Sequence, residues 1–412
     1  MGAVMPGAAT AARRPLRVLI LRQGHYPDDP RVRRAVGALT ARGHSVDVVC
    51  LGRAGEAARE TVAGARVFRV PLAHRRGGRW RYAWEYGAFF VAAAGLALAL
   101  HLRRRYAVVE AHSLPDGLVF AALGPRCLGA RVVLDLHEVM PELVASLFGL
   151  HAAHPLVRIT GRVEQAAIRF ADACLAVSDP CAEAFVRRGA PAGKLTVVMN
   201  SADPALFPPP DPSAAPSGAG PGGPRPLRVV SHGTLVDRHG FDVLLHAAAR
   251  LSTGGGPDFE LRIMGDGEAR GALEALARDL GLGERVTFEG HRPLDEVARR
   301  LEDADVGVVA NRRDAFMDLV VPTKLMEYAA LGIPAVVSRT PAVERYFDGR
   351  MVRYFAPGDA ADLAAALAEV LGDPGLRRRL ADAARRGFCG RHGWPGMAAR
   401  YVDLIEALAG VS

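Results

Sequence analysis

Residues 321–334, which read VPTKLMEYAALGIP, decide the interpretation of the chain. Pro322 is typical of the start of a helix, and Gly332 is typical of its end. The unpaired backbone N–H groups at a helix N-terminus, together with the helix dipole, favour an anion such as phosphate. Lys324 and Glu327 are three residues apart and can therefore face the same ligand. The stretch predicts a helix whose first turn binds a phosphate-containing ligand.

Lysine is rare in this chain, which makes its position in this helix informative. Of 52 basic residues, two are lysines, Lys194 and Lys324. A small ammonium group suits a phosphate oxygen in a confined site better than a planar guanidinium does. We therefore favour a binding role for Lys324 over a chance placement.

Length and composition indicate a soluble protein with two domains. A chain of 412 residues is too long for one ordinary core, and its hydrophobic (50%) and charged (23%) fractions are typical of globular proteins. The apolar run 88–100 is too short to span a bilayer. In residues 1–15 the arginines follow the small apolar residues, which is the wrong order for a secretory signal, so we predict a flexible leader there.

Cysteine usage indicates a cytoplasmic protein. The five cysteines are odd in number, and their spacing matches neither a CxxC motif nor a zinc site. We expect them to be buried as small hydrophobic side chains in a reducing cytoplasm, and we expect no metal.

Positive charge is concentrated in the first half of the chain. Residues 1–224 carry 27 basic and 17 acidic side chains, whereas residues 225–412 carry 25 and 27. A general preference for arginine would raise both halves. The excess predicts that the first half faces an anionic partner such as acidic lipid, nucleic acid or a phosphorylated acceptor.

Strand-like apolar runs alternate with helix-like segments in both halves, which predicts two doubly wound parallel sheets. Residues 208–226 (PPPDPSAAPSGAGPGGPRP) contain almost nothing that a core could bury and predict a linker. The predicted units are therefore a first domain at 16–207, a second domain at 227–393, and a final helix at 394–412 that we expect to pack back on the first domain.

Residues 80–105 predict a long helix with aromatic residues at one end and Arg103, Arg104 and Arg105 at the other. A basic, aromatic-flanked apolar helix can lie on a membrane surface. A core helix of the first domain is the preferred interpretation. The two are compatible if one face packs inward.

Two histidines follow predicted strands in the first domain. His112 comes after the run 108–111, and His137 comes after 132–136 with Glu138 beside it. Open α/β sheets bind ligands at the carboxyl ends of their strands. A ligand-binding role and a structural role are about equally supported for this pair.

The loop 231–240 follows the first predicted strand of the second domain. Its glycines let the backbone approach a ligand closely, and Arg238 offers a fork of donors that suits phosphate oxygens. Arg238 and Lys324 could hold a diphosphate from two sides, while Glu327 could accept hydrogen bonds from a ribose diol. Residues 265–271 (GDGEARG) miss the dinucleotide fingerprint by one residue, which disfavours a dehydrogenase.

With these residues the chain resembles the family 4 retaining glycosyltransferases over nearly its whole length. The motifs that carry the resemblance are DPRVRR at 29–34, His112 with Pro115-Asp116, LDLHE at 134–138, NSAD at 200–203, Gly233 with Gly240, GDG at 265–267, and PTK, EY and GIP within 322–334. The resemblance implies the α/β GT-B fold, in which two Rossmann-like doubly wound domains face each other across a cleft.

The resemblance implies transfer of a sugar from a nucleotide diphosphate sugar to a hydroxyl acceptor, with retention of anomeric configuration and without a metal or other cofactor. The implied catalytic residues are His112, Arg238 and Lys324. The implied donor-binding residues are Gly233, Thr234, Arg238, Gly265, Asp318, Thr323, Lys324 and Glu327. The acceptor-binding residues that we predict are His25, Asp29, Arg31, His137 and Glu138.

The chain departs from the family pattern at two positions. Leu319 stands where the first glutamate of the EX7E motif is expected, so contact with the donor sugar would come from Asp318 or from backbone. His239 stands where the phosphate loop usually has lysine, which moves the expected charge to Arg238.

Two alternatives stay open. One is a nucleotide-sugar epimerase on the same architecture, which needs no acceptor. The other is a non-catalytic sugar-binding or membrane-surface protein, because Leu319 replaces a glutamate. We expect a hydroxyl acceptor that is lipid-linked or anionic, contact with the inner face of the membrane, and no nucleic acid partner.

Overall fold

A computed structural model describes residues 14–72, 79–209 and 225–410, with only the backbone for residues 79–83. Residues 1–13 of the predicted leader and residues 210–224 of the predicted linker lie outside the described residues.

The first unit is built on a sheet whose described residues form eight strands. These are β1 (Arg17–Arg22), β2 (Ser45–Leu51), β3 (Arg59–Val62), β4 (Ala65–Val70), β5 (Val108–His112), β6 (Arg131–Leu136), β7 (Ala173–Ala176) and β8 (Leu195–Val197). The sheet order is β3-β4-β2-β1-β5-β6-β7-β8, and β3 alone pairs antiparallel. Continuous apolar runs such as Leu19–Leu21 are fully buried because helices cover both faces of the sheet.

The helices of the first unit follow its strands in alternation. They are α1 (Pro30–Ala41), α2 (Arg79–Arg104), α3 (Leu123–Cys127), α4 (Met140–Phe148), α5 (Pro155–Phe170) and α6 (Asp179–Arg187), with 3₁₀ turns at Asp116–Ala122 and Ala192–Lys194. The parallel strands, which are all of the described strands except β3, therefore deliver their carboxyl ends to the same edge of the sheet, where His112 and His137 lie.

The second unit repeats this architecture with six described strands. They are β9 (Leu227–His232), β10 (Phe259–Met264), β11 (Val286–Gly290), β12 (Val306–Val309), β13 (Ala335–Ser338) and β14 (Arg353–Phe355), in the all-parallel order β11-β10-β9-β12-β13-β14. The strand order reverses beside β9, so its loop opens at the switch point where such sheets bind ligands.

Helices cover both faces of the second sheet. They are α7 (Phe241–Thr253), α8 (Arg270–Asp279), α9 (Leu294–Leu301), α10 (Thr323–Leu331), α11 (Pro341–Tyr346), α12 (Ala360–Gly372) and α13 (Pro374–Ala384). The chain then continues into α14 (Gly390–His392) and α15 (Trp394–Leu408). A π-helical turn, Arg385–Cys389, joins α13 to α14.

The last helix, α15, lies against the first unit. Tyr401 donates a hydrogen bond to Glu110 on β5 (2.5 Å), and Glu406 lies 3.1 Å from His44. All four residues are buried, so α15 completes the interior of the first unit instead of resting on its surface.

The two units also meet through the loop between β12 and α10. Phe316 and Met317 in this loop pack on Leu143 of α4 in a small buried cluster. Ser146 of α4 donates a hydrogen bond to Asp314 (2.5 Å). The loop that precedes α10 is therefore held by both units.

Helix α2 is apolar on two opposite faces. Phe89, Ala93 and Ala97 pack into the core, which confirms that one face of the helix packs inward. On the other face Val91 is 70% exposed and Leu102 is 55% exposed. The segment Trp84–Arg104, with mean hydropathy 1.5, is long and apolar enough to cross a membrane by length and composition, which the run 88–100 by itself was not. Core helices pass the same test, and a third of this segment is buried.

Candidate active site

The first turn of α10 buries a lysine without a partner. Lys324 is 6% exposed, and its Nζ makes no hydrogen bond with the described residues. The ammonium group lies 5.0 Å from the centroid of the Phe241 ring. Burial lowers the pKa of Lys324 to about 8, although Glu327 acts in the opposite direction. A bound anion would supply the missing counter-charge.

Glu327 is oriented by a histidine from β9. Its Oε2 lies 2.6 Å from His232 Nε2, and His232 Nδ1 lies 3.2 Å from the Tyr328 hydroxyl. The Tyr328 ring packs flat on Gly307, where an added Cβ would lie 2.5 Å from the ring. The small residue on β12 therefore lets α10 sit close enough to the sheet to place Glu327 at the end of β9.

Two strand-end loops of the second unit touch through their glycine backbones. Gly233 has φ +128° and Gly265 has φ +142°, which are conformations that L side chains rarely adopt. A Cβ at position 265 would lie 1.9 Å from the Gly233 carbonyl oxygen. Thr234 is exposed beside them, so this part of the site offers backbone rather than bulky side chains.

Arg238 and His239 differ in charge although they are adjacent. Burial and the nearby Lys324 lower the pKa of His239 to about 4, so its ring is neutral and contacts the Thr234 carbonyl oxygen (2.7 Å). Arg238 Nε is buried and has no hydrogen-bond partner among the described residues. The positive charge of this loop thus belongs to Arg238.

Glu138 of the first unit interacts electrostatically with Arg238 of the second unit. Burial raises the pKa of Glu138 to about 7, while Arg238 and Arg31 both act to lower it. The predicted acceptor carboxylate and the predicted phosphate-binding arginine therefore influence each other electrostatically, although they belong to different units.

The residues around the first EX7E position have other partners. Asp318 accepts two hydrogen bonds from Arg313, at 2.8 and 2.6 Å. Leu319 packs against the core of the first unit, and its carbonyl oxygen accepts from Ser178 (3.4 Å). Thr323 is exposed at the first turn of α10. A glutamate at 319 would meet an apolar surface, which is a physical reason for leucine there.

The acceptor-side residues of the first unit form a closed network of charges. Arg31 makes two hydrogen bonds to Asp135, at 2.6 and 2.5 Å. His112 Nδ1 lies 3.0 Å from His137 Nε2 and 3.2 Å from Asp135. His112 Nε2 lies 3.1 Å from Glu110, an ion-pair distance without good hydrogen-bond geometry. The network rigidly fixes the ends of β5 and β6.

The two histidines carry different charges. Burial acts to lower the pKa of His112, but Glu110 and Asp135 outweigh it and raise that pKa to about 9. Burial lowers the pKa of His137 to about 4. His112 is therefore an imidazolium with no exposed surface, and the neutral His137 beside it has 15% of its side chain exposed.

The remaining predicted acceptor residues lie at the start of α1. Asp29 caps the helix by accepting from the backbone N–H groups of Arg31 (3.0 Å) and Val32 (3.2 Å), and it pairs with Arg22 (2.8 Å). His25 is partly buried, with Nδ1 3.2 Å from the Leu51 carbonyl oxygen. Both positions have a structural role, and contact with an acceptor stays a prediction.

Nitrogen and carboxylate atoms of His112, Asp135 and His137 lie within 4.8 Å of one another, a spacing that could hold a metal ion. The guanidinium of Arg31 already binds both oxygens of Asp135, and His112 is charged. Two adjacent cations oppose a third one at this place. The cluster fits a hydrogen-bonded scaffold better than a metal centre.

Sequence reasoning missed two participants in these networks. His232 ends β9 just as His112 ends β5, so its strand-end position was a usable signal. Tyr401 has no such signal, because its partner Glu110 lies 291 residues earlier.

Two family models match successive parts of the chain. Residues 29–201 match a model described as "Glycosyl transferase 4-like domain", and residues 226–373 match one described as "Glycosyl transferases group 1". The boundary between them falls between the two units.

The chain is 32% identical over 180 residues to the lipopolysaccharide core biosynthesis glycosyltransferase LpsE of Rhizobium meliloti, which covers 43% of this chain and 49% of the relative. The chain spans about half the length of the curated relatives it matches.

Solved structures share the fold over nearly the whole chain. Sucrose-phosphate synthase from Thermosynechococcus elongatus has a TM-score of 0.76 at 21% identity and covers 96% of this chain and 100% of its own. Anabaena Alr3699/HepE in complex with UDP and glucose has a TM-score of 0.70 at 16% identity and covers 95% of this chain and 100% of its own. The fold is GT-B, as predicted.

Proposed function

Because the chain belongs to the group 1 glycosyltransferases, with a family 4-like first domain, we propose that it transfers a sugar from a nucleotide diphosphate sugar to a hydroxyl acceptor. We further propose that anomeric configuration is retained and that no metal or other cofactor takes part. The structure of HepE with UDP and glucose supports a nucleotide-sugar donor by analogy of fold.

One observation carries this proposal: Lys324 is a buried ammonium group at a helix N-terminus with no acceptor among the described residues. Both its own charge and the helix dipole attract an anion. Arg238, whose Nε also has no described partner, belongs to the neighbouring loop. A diphosphate bridging these two groups would satisfy both.

The chemistry follows from where charge develops. Cleavage of the bond between sugar and diphosphate places negative charge on the leaving oxygens, which fixed cations at Lys324 and Arg238 would stabilise. Glu327, oriented by His232 at 2.6 Å, would accept hydrogen bonds from the ribose hydroxyls. The acceptor would enter from the first unit beside His137 and Glu138, and closure of the cleft would exclude water.

The test is thermal unfolding with a panel of nucleoside diphosphates and their sugars. We expect one nucleotide to raise the melting temperature of the wild-type protein, and we expect Glu327→Ala to abolish that shift. Glu284→Ala, which changes an exposed glutamate of the second unit, serves as the matched control. A panel without any shift would contradict nucleotide binding. Product formed from the donor alone would instead indicate an epimerase.

We also propose that the protein works at the cytoplasmic face of a membrane on a lipid-linked or anionic acceptor. The exposed face of α2 supports this, since Trp84 is 64% exposed and Val91 70% exposed, with Arg103 at the end of the helix. The name of LpsE refers to lipopolysaccharide core biosynthesis, which supports a glycan or glycolipid acceptor.

Sedimentation with vesicles tests this membrane contact. We expect binding to vesicles that contain phosphatidylglycerol, and we expect Val91→Asp to weaken it strongly. The control variant Arg378→Glu, which introduces an acidic side chain on α13, should leave vesicle binding unchanged. Equal binding of all three proteins would contradict the role of α2.

A further inference from the structure

A groove lies between α4 and α5, and none of the predicted donor-binding residues lines it. Its volume is about 880 Å³, within the usual range for small-molecule sites. Pro141 and Ala145 of α4 and Val157 of α5 form an apolar wall, and Ala315 of the second unit closes one side.

The opposite wall is a stripe of polar residues on α5. Arg158, Arg162, Gln165 and Arg169 are spaced by four, three and four residues, so they share one face of the helix, and all four line the groove. The three arginines are exposed and make no ion pair with the described residues. Their charge is therefore free to meet an anionic ligand.

A fourth arginine in the same groove is neutralised by ion pairs. Arg188 pairs with Glu142 at 2.6 Å and with Glu164 at 2.7 Å. The excess positive charge of the groove thus comes from the three arginines on α5, because Arg188 is already paired.

Gln165 adds an unused hydrogen-bonding group. The residue is 6% exposed and donates from Nε2 to Glu164 and to the Phe185 carbonyl oxygen, each at 3.2 Å. Its Oε1 makes no hydrogen bond within the part of the chain that the structure describes. A buried acceptor left unpaired costs free energy, so a ligand hydroxyl that donates to it is favoured.

The apolar wall continues to the surface. Phe148 at the end of α4 is 65% exposed, and Leu147 and Ile159 are each more than half exposed. The groove thus combines free cations with an apolar wall, and exposed apolar side chains lie on the same two helices. At its other end Pro141 and Glu142 follow closely on His137 and Glu138, the predicted acceptor residues.

We propose that this groove binds the phosphate and hydrocarbon part of a lipid-linked acceptor. The anionic phosphate or diphosphate lies on the arginines of α5, and its isoprenoid or acyl chain lies along the apolar wall toward Phe148. The binding site stands on the groove alone, whereas the identification of its ligand as the acceptor rests on the proposed function.

Titration calorimetry with the full chain tests this site. The probes are farnesyl diphosphate, inorganic pyrophosphate and farnesol at one ionic strength. We expect farnesyl diphosphate to bind at least tenfold more tightly than either fragment, and we expect Arg158→Glu/Arg162→Glu to weaken that binding at least tenfold. Arg378→Glu, a reversal of an exposed and unpaired arginine on α13, should leave it unchanged.

Further variants separate this site from the donor site and from misfolding. Lys324→Met should keep its affinity for farnesyl diphosphate, and the double variant should keep its thermal shift with the donor nucleotide. If the double variant unfolds, Arg158→Gln/Arg162→Gln replaces it. Unchanged binding in the double variant, or loss of binding in Lys324→Met, would overturn the proposal. So would a double variant that lost binding only to phosphatidylglycerol vesicles, since the arginines would then face the membrane.

Discussion

The chain has two lysines, and their surroundings are opposite. Lys194 of the first unit donates to the carbonyl oxygens of Arg169 (2.8 Å) and Ala171 (2.6 Å) at the C-terminal end of α5. That end of a helix carries partial negative charge. Lys324 of the second unit lies at the N-terminal end of α10, where the partial charge is positive, and it has no acceptor among the described residues.

The difference shows how a structural cation can be distinguished from one that is proposed to bind a ligand. Lys194 stabilises a helix end and gains nothing from a further anion. Lys324 is desolvated and faces a like-signed dipole, an arrangement that costs stability unless a ligand compensates for it. His112 resembles Lys194 in this respect, because Glu110 and Asp135 already surround it.

Replacing each lysine by methionine gives the largest expected contrast. Lys324→Met should lower the transfer rate by about 10²–10³ because one fixed cation at the leaving group is lost. Its melting temperature should stay the same or rise, since a buried unpaired charge disappears. Initial rates and thermal unfolding measure the two effects. A variant with wild-type rate would remove Lys324 from the chemistry.

The Lys194→Met variant should behave in the reverse way. It should lose about 1–2 kcal/mol of unfolding free energy, because the last carbonyl groups of α5 lose a charged donor. Its transfer rate should remain within about twofold of wild type at a temperature where it is folded. Urea denaturation provides the free energy. A large loss of rate without a loss of stability would erase the contrast between the two lysines.

The pH dependence of nucleotide binding sharpens the comparison. Since Lys324 titrates near pH 8 when no ligand is bound, affinity for the nucleoside diphosphate should fall by up to about tenfold per pH unit above 8. The stability of the free protein should change in the other direction. The folded pKa lies below the ordinary 10.5, so the unfolded chain binds more protons between pH 8 and 10.5 and this residue's contribution to stability rises with pH.

Calorimetric titrations at pH 7, 8 and 9 measure this effect, with Lys324→Met as the control. The control should show a flat profile. An equally steep fall in both proteins would assign the titration to another group.

The smallest effect is expected from restoring the lysine of the family's phosphate loop. The pKa of His239 is about 4, so its ring contributes no charge at neutral pH. His239→Lys adds a cation near Lys324 and should raise nucleotide affinity by about threefold, because like-charge repulsion with Lys324 offsets part of the gain. Thermal shifts at matched nucleotide concentrations measure it. Weaker binding would show that Arg238 and Lys324 already fill the site.

Local patterns in the sequence were sufficient to predict the positions of several of these residues in the fold. Strand-end positions and the start of α10 follow from short-range rules, so Lys324, Glu327, Gly233 and Gly265 could be placed near one edge of a sheet. The GT-B fold was predicted correctly from the family motifs.

Long-range partners could not be predicted in this way. The Arg31–Asp135 pair joins residues 104 positions apart, and no local pattern indicates that Arg31 is buried. From the sequence, Leu319 is a departure from the EX7E motif. In the tertiary structure it packs against the core of the first unit, a contact that no local pattern predicts. The spacing of the arginines on α5 by itself predicts only an exposed helix face. The groove also needs α4, whose position the sequence does not give.

The bond from Tyr401 to Glu110 has a consequence for how the chain matures. Glu110 is fully buried on β5, and its partner is synthesised 291 residues later. Domains generally fold in order as they leave the ribosome. During synthesis the Glu110 carboxylate of the first unit therefore lacks its Tyr401 partner until the whole second unit has been made. A chain whose synthesis stops within the second unit never gains this partner. Its first unit should be less stable and therefore more readily degraded by cellular proteases.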